Sequence, residues 1–127
     1  MRVKSALGLL AGAALLAAPA AAKGPTGEDH RDANCYVAFS LLAAAPPSGS
    51  PLSAEERQAL NAGSNYFLGK LKGRSPNLDL ATVMTPVIIR DVRANLSAQL
   101  GACIPETDAL AATINRTADM MEAATKD

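Results

Sequence analysis

The chain has no tryptophan, a single histidine, two cysteines, and two each of tyrosine and phenylalanine, so aromatic residues make up only 3% of it. Each scarcity removes a class of chemistry. A hydrolytic triad needs a base, usually histidine, held beside its nucleophile, and here His30 stands alone in the polar stretch EDHRD. That stretch offers nitrogen and oxygen ligands, but no matching ligand pair exists elsewhere to complete a metal site. The two thiols, Cys35 and Cys103, lack the C-x-x-C spacing of a redox-active pair. No P-loop, glycine-rich dinucleotide turn, G-x-S-x-G, H-E-x-x-H or haem-attachment pattern occurs. With 12 basic residues against 12 acidic ones, the chain also lacks the basic excess that nucleic-acid binding requires. The expectation is a protein that is not an enzyme, holds no metal or cofactor and binds no nucleic acid.

The first residues, MRVKSALGLLAGAALLAAPAAAKG, place Arg2 and Lys4 before an apolar block over residues 6–18 and end on Ala20, Ala21 and Ala22. This is the three-part plan of a secretory signal peptide, cleaved after Ala22. A bilayer-spanning helix needs about 20 apolar residues, and this block is shorter and followed at once by Pro19. Residues 1–22 therefore read as a signal peptide, 23–31 as a flexible leader and 32–127 as a single helical domain. Its expected location is periplasmic or secreted, with no membrane attachment after cleavage. Cleavage removes two bases and no acid, leaving a net charge of about −2. In an oxidising compartment Cys35 and Cys103 pair by default. Closing so long a loop restricts the unfolded chain by roughly 4 kcal/mol. That is a large share of the about 5 to 10 kcal/mol expected for a small domain.

No stretch alternates like a strand; apolar residues recur at three- and four-residue steps instead. Cys35, Phe39 and Leu42, widened by Val37 and Leu41, mark a first helix to about residue 45, ended by Pro46 and Pro47. Ser53 and Glu56 form an S-x-x-E capping box that opens a second helix, from residue 54 to about residue 72. Its buried face is Leu60, Gly63, Phe67 and Leu71, with Tyr66 beside them. Gly63 and Gly69 each weaken that helix by about 1 kcal/mol. The pairs Ala59/Gly63 and Gly69/Gly73 present small faces where another helix fits.

Ser75-Pro76 and Thr85-Pro86 each read as an N-cap followed by a first-turn proline. The first opens a short helix through NLDLATVM. The second opens a long helix to about residue 103, with Val87, Ile88, Val92, Leu96, Leu100 and Cys103 on one stripe. Gly101 and Pro105 mark a kink or a stop. Leu110, Ile114, Ala118 and Met121 then carry a terminal amphipathic helix to about residue 124. The fold class is all-α: a small bundle of four principal helices plus one short helix, stapled by one disulfide between Cys35 and Cys103. Phe39, Leu42, Leu96 and Leu100 are expected to share a core layer.

The stretch NYFLGKLKGR holds two of the four aromatic residues and three cations, Lys70, Lys72 and Arg74. At a helix C-terminus such cations offset exposed carbonyls, and Gly73 suits a left-handed exit. The same positive end is the candidate surface for an anion or a partner. Met120 and Met121 pose a similar choice: one completes the core while the other is exposed, or the pair forms a partner-binding edge.

The signal, the pair Cys35 and Cys103, and the intervening YFLGKLKGRSP resemble a family of small, uncharacterised exported proteins of alphaproteobacteria, over residues 34–103. A second likeness is to HdeA-type periplasmic acid chaperones, which are small, all-helical and held by one disulfide. This chain differs from them in a longer segment between its cysteines and in having no tryptophan. The first resemblance implies an envelope protein without an assigned activity. The second implies a holdase that opens at low pH to expose apolar surface. The expected function is a non-enzymatic module that binds a protein partner or serves in envelope stress. The alternatives are the acid-activated holdase, and an enzyme or binder acting on an anionic ligand at Lys70, Lys72 and Arg74.

Overall fold

A computed structural model describes residues 24–126, so the expected signal peptide lies outside the described residues. The elements in order are α1 (Gly27–Ala44), α2 (Ala54–Arg74), a 3-10 turn (Leu80–Thr82), α3 (Pro86–Ala94) and α4 (Leu96–Ala124). No strand occurs among the described residues, and no described helix is long and apolar enough to cross a membrane. The all-α expectation, with four helices, one short one and a disulfide, is met. Several boundaries differ, each for a local reason.

The segment expected as a flexible leader is in large part the first turn of α1. Thr26 and Asp29 form a capping box: the Asp29 N–H donates to Thr26 Oγ1 at 3.1 Å, and the Thr26 N–H donates to the Asp29 carboxylate at 2.9 Å. Asp29 is then only 1% exposed. The second box, Ser53 with Glu56, opens α2 where the sequence placed it. Its C-terminus departs from expectation, because Gly73 stays helical and Ser75 is the cap, its N–H donating to Leu71 O at 2.9 Å. The Ser75 hydroxyl also donates to Asp29 of α1, which fixes the exit. Ser75 therefore does not open a helix. Asp79 caps the 3-10 turn instead, accepting from the Ala81 N–H.

The long helix expected from Pro86 breaks at Asn95, ten residues before Pro105. The Asn95 N–H is shared between Asp91 O and Val92 O, and its side-chain amide also donates to Asp91 O at 3.0 Å. This is the local competition with helical bonding for which asparagine is known. Pro105, by contrast, lies inside α4. It and Gly101 are both exposed, so the carbonyl left without a donor faces water.

α1 is the hub. α2 packs antiparallel along it, while α3 and the first half of α4 cover its other sides. Cys35 and Cys103, both buried, join α1 to α4 with Cα atoms 5.8 Å apart across a sequence separation of 68. Around the disulfide lie Phe39 and Phe67, stacked with ring centroids 5.9 Å apart, and Tyr66 edge-on to Phe67 at 5.1 Å. A second cluster joins Ala33, Leu71 and Val83, and a third joins Val37, Ala38 and Val92. Leu100 packs against Phe39 as expected, but Leu42 belongs to none of these clusters, and Phe67 takes the place assigned to it. Val87, expected on the buried stripe, is exposed because α3 turns its Val92 side toward α1.

The largest correction concerns the end of α4. Residues 111–126 are exposed throughout, and Met120 and Met121 are 67% and 61% exposed, so neither completes the core. The helix leaves the body as an arm.

Gly63 is the one close approach the glycine pattern foresaw. A Cβ there would stand 2.9 Å from two ring carbons of Phe39, whereas Gly69 and Gly73 face open space. Phe39 cannot yield, because it is buried and stacked on Phe67. Gly63→Ala is therefore expected to destabilise by about 1–2 kcal/mol, overpacking outweighing the gain in helix propensity. Gly69→Ala is expected to stabilise by up to about 1 kcal/mol. Urea unfolding of the two variants, read by circular dichroism, checks the opposite signs.

Candidate functional site

Two places among the described residues carry more than packing, and they meet at Tyr66. The first is a cluster of charges among α1, α2 and α4. Asp29 and Asp32, three apart, lie on one face of α1 and are 1% and 0% exposed. α2 delivers Lys70 and Arg74, four apart, to the same place. Arg74 donates from Nε to Asp29 at 3.0 Å and from Nη2 to Asp32 at 2.5 Å, and Lys70 Nζ reaches Asp32 at 3.3 Å. α4 adds Glu106, which accepts from Lys70, from Arg31 at 2.8 Å and from the Tyr66 hydroxyl at 2.8 Å. Three carboxylates thus face three cations, and no buried side-chain polar atom among the described residues lacks a partner. Lys70 also stands 5.7 Å and 5.5 Å from the Tyr66 and Phe67 ring centroids, within cation–π range.

The ionisation of these groups follows from the geometry. The Lys70 ammonium, with help from the Tyr66 hydroxyl and Arg31, holds Glu106 down to about 2 against the partial burial that opposes it. The Thr26 backbone N–H, with Arg74 and Ser75, lowers Asp29. Burial works against the charge on Lys70, yet its bonds to Glu106 and Asp32 prevail and raise its pKa. Burial and the bond to Glu106 raise Tyr66.

The three cations offered as an anion or partner surface are thereby accounted for. Lys70 and Arg74 turn toward carboxylates, and Lys72 donates to the carbonyls of Pro76 and Leu78 at 2.7 and 3.4 Å. The positive end of α2 is committed to internal acceptors. A cavity of about 590 Å³ lies beside it, but the Asp29 and Arg74 side chains on its wall are bonded to each other. The sequence held a signal for this cluster in the matching of two acids three apart on one helix with two bases four apart on the next. Glu106 had no such signal, since its partners lie 36 to 75 residues away.

The second place is an apolar groove of about 410 Å³ between α2 and α4. Ala59, Ala62, Gly63 and Tyr66 form one wall, Leu110, Ala111 and Ile114 the other, and Phe39 the floor. Small residues on α2 leave the space open. Beyond the groove the same face of α4 continues, uncovered, through Ala118 to Met121.

The carboxylate cluster makes stability depend on acid in a defined window. Glu106 falls from an ordinary 4.5 to about 2 in the folded chain, so its contribution is complete above about pH 4.5 and is lost as the pH drops toward 2. With solvent screening that contribution is on the order of 2 kcal/mol. Urea titrations at about pH 5 and pH 2 are expected to show the wild type losing about 2 kcal/mol more than Glu106→Gln over that interval. Equal losses would mean that Glu106 is not held by Lys70.

No protein-family model matches the chain, and no curated protein or solved structure shows significant similarity to it, so the functional reading rests on this geometry.

Proposed function

We propose that this is an exported, non-enzymatic helical module that binds a protein partner through the apolar face of α4 and the groove beside it. The observation that carries this reading is the uncovered half of the α4 arm. With 3.6 residues per turn, Leu110, Thr113, Ile114, Thr117, Ala118 and Met121 fall on one half of the circumference. Arg116, Asp119 and Glu122 fall on the other. An amphipathic helix of this kind covers its apolar half against something, and here no described residue of the body covers it beyond the groove. Soluble chains seldom leave a contiguous apolar face that has no use. The buried disulfide supports an oxidising compartment, in keeping with the signal-like leader.

A photoreactive residue placed at Ile114 in the exported protein is expected to capture a polypeptide in intact cells. The same probe at exposed Arg90 on α3 is expected to capture none. Equal capture at both positions, or none at Ile114, overturns the reading.

The carboxylate cluster favours a second reading, an acid-opened holdase. Protonating the acids leaves Arg31, Lys70 and Arg74 crowded together without counter-charge, between helices whose shared core holds Phe39 and Phe67. Apolar-dye binding and suppression of client aggregation should then rise together below about pH 3. A flat response in both assays discards this reading.

A further inference from the structure

Building on the reading of α4 as a binding face, we propose that its occupant is a second copy of this chain, each arm lying antiparallel in the groove of the other about a two-fold axis.

The arm itself calls for a helical occupant. Residues 109–124 span about 24 Å, a length at which an isolated helix is marginal in water. Among the described residues, one side-chain ion pair supports its last turns, Lys126 with Glu122 at 2.5 Å. Thr107, Leu110, Ile114, Thr117, Met121 and Ala124 follow one another at alternating steps of three and four. That spacing is the seam of a helix packed on a helix, not of a helix lying on lipid. A lipid-facing helix would also carry a basic flank. This arm carries Arg116 and Lys126 against Asp108, Asp119 and Glu122.

The seam matches itself. A two-fold axis between positions 115 and 116 sets Leu110 opposite the partner's Met121, Ile114 opposite the partner's Thr117 and Thr107 opposite the partner's Ala124. Symmetry repeats each contact. No ionised side chain falls on the seam, so the pairing brings no like charges together. Ala111 and Ala118 flank the seam and let the axes approach to about 8 Å.

Size decides between a bare arm-to-arm contact and an arm in a groove. Half the surface of a 24 Å helix is roughly 400 Å² per copy, so arms alone bury about 800 Å² in total, the size of a lattice contact. Seating each arm against the partner's Ala59, Ala62 and Gly63 adds the groove walls. The total then reaches about 1,200 Å², the lower end of stable interfaces.

Sedimentation velocity of the mature, oxidised chain from about 5 μM to about 0.5 mM is expected to show a reversible monomer–dimer equilibrium. Ile114→Asp combined with Met121→Asp, and separately Ala59→Arg in the groove wall, should each leave a monomer with an unchanged melting curve, because all three positions are exposed. A chain monomeric throughout, or a dimer indifferent to the arm and groove substitutions, overturns the proposal. In that case adducts of other mass captured at Ile114 leave the partner-binding reading standing; where the dimer forms and responds to the substitutions, adducts of twice the chain mass support both.

Discussion

Asp32 has no exposed surface, and the rest of the molecule is arranged around the need to keep its charge paired. A lone carboxylate at that depth would cost several kcal/mol; with Arg74 and Lys70 bonded to it, the cost is largely offset. Net stability is a smaller part of what the pairing contributes than alignment. The surfaces that α1 presents nearby are small, Ala33 and Ala38, and apolar packing of small residues tolerates sliding. Charges do not. Moving α2 by one turn would strand Asp29, Asp32 or both away from their partners. One face of α1 therefore reads as a ladder, with the capping Asp29 first, then Asp32, then the disulfide at Cys35, then Phe39 against Gly63. The first two rungs tie α1 to α2 by ion pairs, the third ties it to α4 by a covalent bond, and the fourth returns to α2 by close apolar contact.

The sequence made half of this ladder legible. Two cysteines behind a signal-like leader point to one bridge, and the box at Ser53 with Glu56 fixes where α2 starts, which in turn fixes the phase of Phe67 and Leu71. The first box escaped notice because Thr26-Gly27-Glu28-Asp29 sits in a stretch whose polarity resembles a solvated leader. Its burial is a property of Arg74, 45 residues away. Local rules also misjudged the helix breaks. Pro105 carries the stronger penalty in isolation, yet on an exposed turn the freed carbonyl of Gly101 is satisfied by water. Asn95 acts from within, by taking up the Asp91 carbonyl. Periodicity found the apolar face of the last helix but could not say whether the chain supplies its cover. Amphipathicity records that a face is to be buried and is silent about the partner.

Glu106 is where the two halves of the molecule meet. Among the described residues it is the last of α4 tied to the body by an ion pair, and from residue 111 onward the helix is exposed. Its bonds to Arg31 on α1 and Lys70 on α2 therefore set the direction in which the arm projects. They do so after the disulfide, one turn earlier, has fixed the distance. A single tether at Cys103 would leave α4 free to swing about it; the second tether removes that freedom.

The same residue is linked to the groove through Tyr66. Tyr66 forms part of the groove wall, and its hydroxyl donates to Glu106. The orientation of that ring, and hence the width of the groove over Phe39, is held by a carboxylate whose ionisation also secures the helices. Any occupant of the groove thus lies against a side chain whose position reports on the ionic cluster. Loss of the Glu106 charge would release Tyr66 and the base of the arm together. Groove and structural clamp are in this sense one unit: the features that make the cluster sensitive to acid are the ones that shape the apolar surface beside it.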